Sequence, residues 1–545
     1  MITKKIKSER GVAALIALIM VGMLTLLGLA ALSTSEDEIS IAGNELHEMR
    51  AFYAAEAGLE KAASIMMSSY DTTGGPPHVL PSGTEDLNFC TVRYNVVSNG
   101  PATVTDLSNG TLAGLHATVR SFSLTSVAGN AADNSEIRLS QTFEAAQVPI
   151  YQFAAFYEND LEMAPGPDLT VQSRVHSNAN LWVQSSNTLN IDSYVSSAGH
   201  IHHGRKGPGA VDNGDILVKN GSGTYVSMRD GGGWLESTDG HWYDTSVARW
   251  QGRVQDSAHG QPVLYPSLSV AAAGDAHKLI EPAGGNPDSY ENKSTIKFID
   301  RQAFQNVAGV WVNVTGAMII GGVITFTDDK FYDARENEWV DCMELDVEKF
   351  YDQGYAPSSG VIYFSDQTSD FPALRVRNAA VIDSALTIAS ENPVYTLGNF
   401  NSSGKKPAAI LSDALTFLSS AWDDTKSAGA LNDRVAANTT VNASYVSGNV
   451  ETTASDYNGG FENLARLLEK WNGKTLTWRG SAVCLWNSVQ ADEEWSYGSY
   501  YTDPIRNWAF DTDLDDPTKI PPAPPTVRVF QRIGWRQEYV GYEGS

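Results

Sequence analysis

The fold is decided at residues 12–32, VAALIALIMVGMLTLLGLAAL, a run of 21 residues with no charge and with Thr25 as its one polar side chain. A helix of this length spans the ~30 Å hydrocarbon core of a bilayer. Basic residues cluster within residues 1–11, and the acidic triplet 36–38 follows the run. The positive-inside rule therefore predicts an inner-membrane precursor, with residues 1–11 in the cytoplasm and the rest outside.

The helical pattern continues beyond the apolar run. No proline occurs before Pro76, and apolar residues recur at spacings of three and four as far as Met66, which is typical of an amphipathic helix. We therefore predict one helix over residues 12–67, about 84 Å long at 1.5 Å per residue. A secretory signal peptide would have a shorter apolar stretch and would not continue as a helix. Retention of residues 1–11 by a permanently anchored surface protein remains an alternative.

Five ordered motifs occupy residues 1–67: SERG at the end of the basic leader, VAALIALIM, LTLLGLAALSTS, IAGNE and AFYAAEAGLEKA. Together they resemble the N-terminal region of the PilX-like type IV pilus minor pilins. The resemblance implies that residues 1–11 are a prepilin leader, that a prepilin peptidase cuts after Gly11, and that Val12 becomes a methylated N-terminus. It also implies that other pilins bind the helix and that the mature subunit reaches the cell surface in the pilus.

The fifth position after this cleavage site departs from the major pilins. They have a glutamate there, whose carboxylate can meet the N-terminal amine of a neighbouring subunit, whereas this sequence has Ile16. An unpaired carboxylate is costly in hydrocarbon, so a subunit without one needs no partner above it. Ile16 therefore favours a tip or initiation role. The alternative is a divergent subunit that enters the filament without this contact.

Two β-rich regions are predicted after the helix. Residues 68–150 contain three runs that alternate apolar with polar side chains, at 89–98, 116–128 and 136–145. Such runs predict an antiparallel sheet with one solvated face, as in a small pilin-like α/β roll.

Residues 151–545 hold short β-branched runs separated by Asn, Gly or Ser. This pattern favours an irregular parallel β-solenoid as an exported head, with a β-sandwich as the alternative, because no fixed repeat length is visible. Residues 460–472, GFENLARLLEKWN, predict a helix within the head. The predicted fold class is α+β, with a long N-terminal helix, a small antiparallel sheet and a large mainly-β head.

The composition restricts the classes of molecule that the protein is expected to bind. Lys and Arg number 38 against 64 Asp and Glu, so the net charge is −26. Nucleic acid and anionic lipid headgroups would be repelled, and no nucleic-acid partner is predicted. The three cysteines, Cys90, Cys342 and Cys484, can form at most one disulfide bond, and their spacing does not say which.

Two clusters contain residues of the types that bind metals. His200, His202 and His203, with His176 upstream, could ligate zinc or copper, but strand alternation would separate them, and a solvated turn is favoured. Asp511, Asp513 and Asp515 have the spacing of calcium ligands. They lack the glycine and the closing glutamate of an EF-hand, and remain weak candidates. No metal or cofactor is predicted.

No GxSxG, HExxH or P-loop motif occurs, and no enzyme is predicted. The predicted function is that of a minor pilin or pilus-tip subunit that seeds assembly and displays an adhesive head, with a tip adhesin as a candidate partner. A tip pseudopilin of a type II secretion system is one alternative. A membrane-tethered carbohydrate-active enzyme is another. The ligand of the head, and a pilus role in adhesion, motility, secretion or DNA uptake, stay open.

Overall fold

A single helix, α1 (Arg10–Thr73), forms the N-terminal part of the protein. The computed structural model describes residues 10–87, 89–108, 110–130, 135–269 and 274–541, and leader residues 1–9 lie outside them. The 64 residues of α1 give a length of about 96 Å, and the helix ends six residues beyond the predicted residue 67. Gly74, with φ of 73°, ends it by donating its N–H to the Tyr70 carbonyl.

The second half of α1 packs on the first sheet, whose antiparallel strands have the order β1-β2-β4-β5-β36, with β3 paired to β4. These strands are β1 (Ser82–Leu87), β2 (Cys90–Ser98), β3 (Thr103–Asp106), β4 (His116–Asn130), β5 (Ser135–Pro149) and β36 (Thr526–Gly541). The helix buries one face, spaced by three and four residues: Ala51, Ala54, Ala55, Leu59, Ala62, Ala63, Met66 and Tyr70. Small side chains dominate this face, so the helix lies close to the sheet.

The last strand of the chain belongs to this first sheet. β36 pairs antiparallel with β5, from Thr526 opposite Pro149 to Gly541 opposite Ser135. Sequence analysis placed these residues with the head, because their partner strand lies almost 400 residues earlier and no local pattern links the two. Residues 150–525 are therefore inserted between two neighbouring strands of one sheet. The proposed domain boundaries otherwise remain predictions.

The head begins with three coils of parallel strands. Leu161, Leu181 and Ile201 lie in register on adjacent strands, 20 residues apart, and all three are buried. The strands are β6 (Phe153–Tyr157), β7 (Leu161–Met163), β8 (Leu169–Val171), β9 (Arg174–Ser177), β10 (Leu181–Val183), β11 (Thr188–Ile191), β12 (Val195–Ser197), β13 (Ile201–His203) and β14 (Asp215–Lys219). The spacing was not visible in the sequence because only a few inward positions of each coil need an apolar residue.

Shorter elements follow the third coil. They are β15 (Tyr225–Ser227), β16 (Arg229–Asp230), β17 (Gly233–Trp234), α2 (Trp242–Trp250), β18 (Val254–Gln255) and α3 (Tyr290–Lys293). β18 pairs with β12 and ends the longest sheet on this side.

The second part of the head starts at the opposite end of that sheet. Its elements are β19 (Ile296–Ile299), β20 (Gln302–Val307), β21 (Val310–Asn313), α4 (Thr315–Ile320), β22 (Ile324–Asp333), β23 (Glu338–Asp346), α5 (Val347–Asp352), β24 (Val361–Ser365), β25 (Pro372–Arg377), β26 (Leu386–Ser390), β27 (Val394–Leu397), β28 (Ala408–Ser412), β29 (Leu415–Leu418), β30 (Thr439–Asn442), β31 (Ser444–Ser447), β32 (Ala465–Leu467), β33 (Thr475–Gly480), β34 (Ala482–Cys484) and β35 (Ile505–Phe510).

One sheet of twelve strands joins both parts of the head, in the order β18-β12-β9-β6-β34-β31-β28-β26-β24-β19-β20-β21. β6, the first strand of the head, pairs in parallel with β34, near its end, so that Ala155 lies opposite Ala482. In this sheet, the first part of the head runs from the central strand β6 out to β18. The second part starts at the opposite end, at β19–β21, and returns to the centre at β34. Together with α1 and the first sheet, these sheets confirm the predicted α+β fold class.

The helix predicted over residues 460–472 is wrong. The structure has one 3₁₀ turn, Phe461–Asn463, followed by β32, which pairs in parallel with β29. Residues 461–469 are all buried, so no solvated face exists for an amphipathic helix. Strand pairing inside the head overrides the local helix propensity.

Gly58 sets the distance between α1 and the first sheet. A Cβ atom at this position would lie 2.3 Å from Ser126 Oγ and 2.7 Å from Val92 Cγ1. We expect Gly58→Ala to destabilise the protein by about 1–3 kcal/mol through overpacking, despite the better helix propensity of alanine. The matched control is Gly43→Ala on the same helix, where a Cβ would meet nothing within 4 Å. Thermal unfolding in detergent should show a lower midpoint for Gly58→Ala alone, and equal midpoints would contradict close packing.

Glu469 makes stability depend on pH. Its buried carboxylate accepts hydrogen bonds from the Ser419 N–H (2.6 Å) and hydroxyl (2.7 Å), and burial raises its pKa to about 7. The folded-state pKa of Glu469 exceeds its ordinary value of 4.5. The stabilisation that the protonated Glu469 carboxyl gives the fold is therefore complete below about pH 4.5 and is lost as the pH rises through 7.

We expect Glu469→Gln to remove up to about 3 kcal/mol of this pH dependence, since each pKa unit corresponds to about 1.4 kcal/mol. Chemical unfolding at pH 5 and pH 8 measures the difference. The exposed Glu338→Gln serves as control, and identical pH profiles for wild type and Glu469→Gln would refute the assignment.

Candidate functional site

The first half of α1 is the most prominent exposed apolar surface of the described chain. Every residue from 11 to 42 is exposed, and Leu18 in the middle of the apolar run is 74% exposed. In the described residues, α1 is the one helix long and apolar enough to cross a membrane. The Thr25 hydroxyl donates to the Val21 carbonyl (2.7 Å), so this polar group is satisfied within the helix. This segment can therefore lie in lipid or pack against other apolar helices.

The predicted processing residues lie at the start of this exposed segment. Gly11 and Val12 are the second and third residues of α1, and the Val12 side chain is 61% exposed. Ile16 lies one turn further along and contributes another exposed apolar side chain. All three positions are exposed in the described part of the chain, so the fold leaves them available to other molecules. Cleavage and methylation themselves stay predictions.

The last strand fastens α1 to the first sheet. Arg532 forms an ion pair with Glu60, and Arg528 Nη1 lies 3.0 Å from Asp71 Oδ1. Between these pairs, the Phe530 ring lies 5.7 Å from the Tyr70 ring on the helix, measured between centroids. Sequence reasoning missed these contacts, since they join residues more than 450 positions apart. The small-residue stripe in AFYAAEAGLEKA was the available signal for close helix packing.

The histidines do not form a common site. His202 and His203 lie in β13, which pairs with β10, and not in a solvated turn. Each ring stacks on a tryptophan: His202 on Trp182 (4.2 Å between centroids) and His203 on Trp234 (3.8 Å). His200 precedes the strand and is exposed.

His176 is buried on a different sheet, between Ser196 and Asn178, and burial lowers its pKa to about 4. Within the described ranges, no three His, Cys, Asp or Glu side chains are grouped so that they could hold a metal ion.

The acidic run near the end of the head contacts lysines. Lys405 Nζ lies 2.6 Å from Asp511 Oδ1 and 2.7 Å from Asp513 Oδ2, and Lys519 also contacts Asp513. The ammonium of Lys405 is thus the cation between these two carboxylates. Burial raises the pKa of the Asp515 carboxyl.

The cysteines lie in different parts of the fold. Cys342 and Cys484 are free thiols, and burial raises the pKa of each to about 12. Cys90 begins β2 in the first sheet and is also buried. Low thiolate content and burial make Cys342 and Cys484 poor nucleophiles.

Comparison with known proteins gives little. No family model matches the chain, and no curated protein matches it. Among solved structures, the chain is similar to the competence-associated pilin ComZ from Thermus thermophilus, with 11% identity, a TM-score of 0.30, and coverage of 91% of this chain and 98% of that one. A TM-score of 0.30 is too low to imply a shared fold.

Proposed function

We propose that this protein is a minor pilin that enters a type IV pilus through α1 and carries its head at the pilus tip. The observation that carries the proposal is that the two halves of one continuous helix have different surroundings. Its first half is apolar and wholly exposed, and its second half is fixed to an antiparallel sheet. A helix of this kind can leave the bilayer and pack with equivalent helices of other pilins without unfolding its own domain.

Processing supports the same proposal. The basic leader, Gly11 and the apolar run are contiguous in the sequence, as a prepilin peptidase substrate requires by resemblance to the PilX-like minor pilins. Before cleavage, the protein is anchored N-in and C-out in the inner membrane. After cleavage and methylation of Val12, α1 binds other pilins, and the head is exposed at the cell surface.

Two features favour the tip over the shaft. The head comprises residues 150–525, most of the chain, and would obstruct neighbours if it were repeated along a filament whose helices pack side by side. Ile16 lacks the carboxylate through which a subunit contacts the next one. A subunit of this kind seeds assembly and presents its head, without enzymatic activity, to surfaces or to a tip adhesin.

Cleavage between Gly11 and Val12 is the first test. We expect mature protein, recovered from cells with a prepilin peptidase, to begin at Val12, because the peptidase recognises the leader and glycine together. N-terminal sequencing and intact mass measure this outcome, including the added methyl group. Gly11→Arg should abolish cleavage, whereas Gly43→Arg, on the same helix but outside the apolar run, should be cleaved like wild type. Assembled protein that begins at Met1 would refute the pilin assignment.

Location in the filament is the second test. We expect immunogold labelling of the head to decorate filament ends, with few copies per pilus. Ile16→Glu should change this pattern little, because the head still excludes a subunit above it. Even labelling along the shaft would contradict the tip role and leave an ordinary pilin-like subunit.

A further inference from the structure

The junction between the two parts of the head differs from the other coil corners. On the long sheet, the strands end in serines in register: Ser390, Ser412 and Ser447 on one side of the junction, and Ser177 and Ser197 on the other. Several of these hydroxyls close the corner, as Ser177 Oγ does by donating to the Asn159 carbonyl (2.9 Å). At the junction the paired residues are Tyr157 and Cys484. The serine ladder is therefore interrupted where β6 meets β34.

A polar pocket of about 190 Å³ lies over this interruption. We call it the junction pocket; it is lined by, among others, Asn159, Asp160, Glu162, Lys206, Asn449 and Glu451. At ~30 Å³ per water it holds about six waters, which is room for one sugar ring but not for a chain of them. Tyr157 also lines it, and the buried Tyr157 hydroxyl has no hydrogen-bond partner in the described part of the chain.

The pocket wall offers both donors and acceptors. The side-chain oxygens of Asn449, Asn458 and Asn487 already accept hydrogen bonds, from Val450 N (2.9 Å), Gly460 N (2.8 Å) and Asn159 Nδ2 (3.2 Å). Within the described residues, their amide N–H groups are left as donors. Asp160 and Glu162 supply carboxylate acceptors beside them. Sugar hydroxyls both donate and accept, so a wall of this composition suits them.

Charge and ion pairing narrow the class of ligand. Lys206 Nζ lies 2.8 Å from Asp160 Oδ2 and 3.3 Å from Glu451 Oε1, so its ammonium already occupies the place of a cation between them. The carboxylates of Asp160, Glu162 and Glu451 outnumber the cations of Lys206 and the nearby Arg205, so a phosphate or other anion would be repelled. An uncharged, hydroxyl-rich ligand does not compete with the Lys206 ammonium and is not repelled by the carboxylates.

We propose that the junction pocket binds one neutral sugar residue, such as the terminal residue of a surface glycan. This inference goes beyond the assembly role proposed above and does not depend on it, because the pocket is built from head residues alone. Binding of one ring through a few hydrogen bonds is weak, in the millimolar range. Repeated contacts along a glycan-coated surface would compensate for weak single contacts.

The test uses the full chain in a detergent without a sugar headgroup and a panel of neutral hexoses and N-acetylhexosamines. Saturation-transfer NMR should detect at least one neutral sugar, and glucose 6-phosphate should bind more weakly than glucose. Ala179 lines the pocket, so Ala179→Leu should fill it and reduce binding at least tenfold. Ala198→Leu makes the same substitution at the next coil corner, outside the pocket lining, and should bind like wild type.

A second variant keeps the test decisive if Ala179→Leu fails to fold. Lys206→Gln retains hydrogen-bond donors but removes the charge that orders Asp160 and Glu451, and it should weaken sugar binding several-fold with an unchanged circular dichroism spectrum. The proposal is overturned if no neutral sugar binds the wild type, if glucose 6-phosphate binds more tightly than glucose, or if folded Ala179→Leu or Lys206→Gln binds sugar like wild type. None of these outcomes bears on cleavage at Gly11.

Discussion

The pairing of β36 with β5 is the constraint on which the rest of the structure depends. It places the two ends of the inserted head side by side, since Ile150 N donates to the Pro525 carbonyl (3.0 Å) directly beyond the paired strands. The same strand carries Arg528 and Arg532, which hold α1 against the sheet. One strand therefore fixes both the head and the helix. Without it, the head would be attached through a single connection after Pro149.

Strand pairing inside the head also covers backbone groups that would otherwise be unpaired at the ends of its coil stacks. A stack of parallel coils has two ends, and each exposes unpaired backbone groups unless something covers it. Here the chain starts in the middle, and the pairing of β6 with β34 joins two stacks into one twelve-stranded sheet. This removes two ends from solvent. Where the stacks join, Tyr157 and Cys484 stand in place of paired serines, and the junction pocket lies there between the two stacks.

Local patterns predicted local elements well. The apolar run at 12–32 and the three-and-four spacing up to Met66 predicted α1 to within six residues of its C-terminal end. Alternation predicted β2, β4 and β5 of the first sheet, but not β1, β3 or β36. Sequence reasoning failed where a partner far along the chain decides the conformation. The buried stretch 461–469 became a turn and a strand because β29 was available to pair with it. Likewise, Lys405 meets Asp511 only through the coil stacking, so the acidic spacing alone suggested calcium.

The insertion of the head between β5 and β36 also determines how the protein transmits force. Both links leave the first sheet at one end, where Thr526 lies opposite Pro149, and Asp71 near the C-terminal end of α1 is paired to Arg528 close to that end. A pull between the head and the membrane end of α1 therefore acts along the strands. The hydrogen bonds of an antiparallel pair lie perpendicular to the strands. The pull therefore loads the bonds between β4 and β5 in shear and does not open them one by one. The first sheet therefore connects α1 to the head through strands that are loaded along their length.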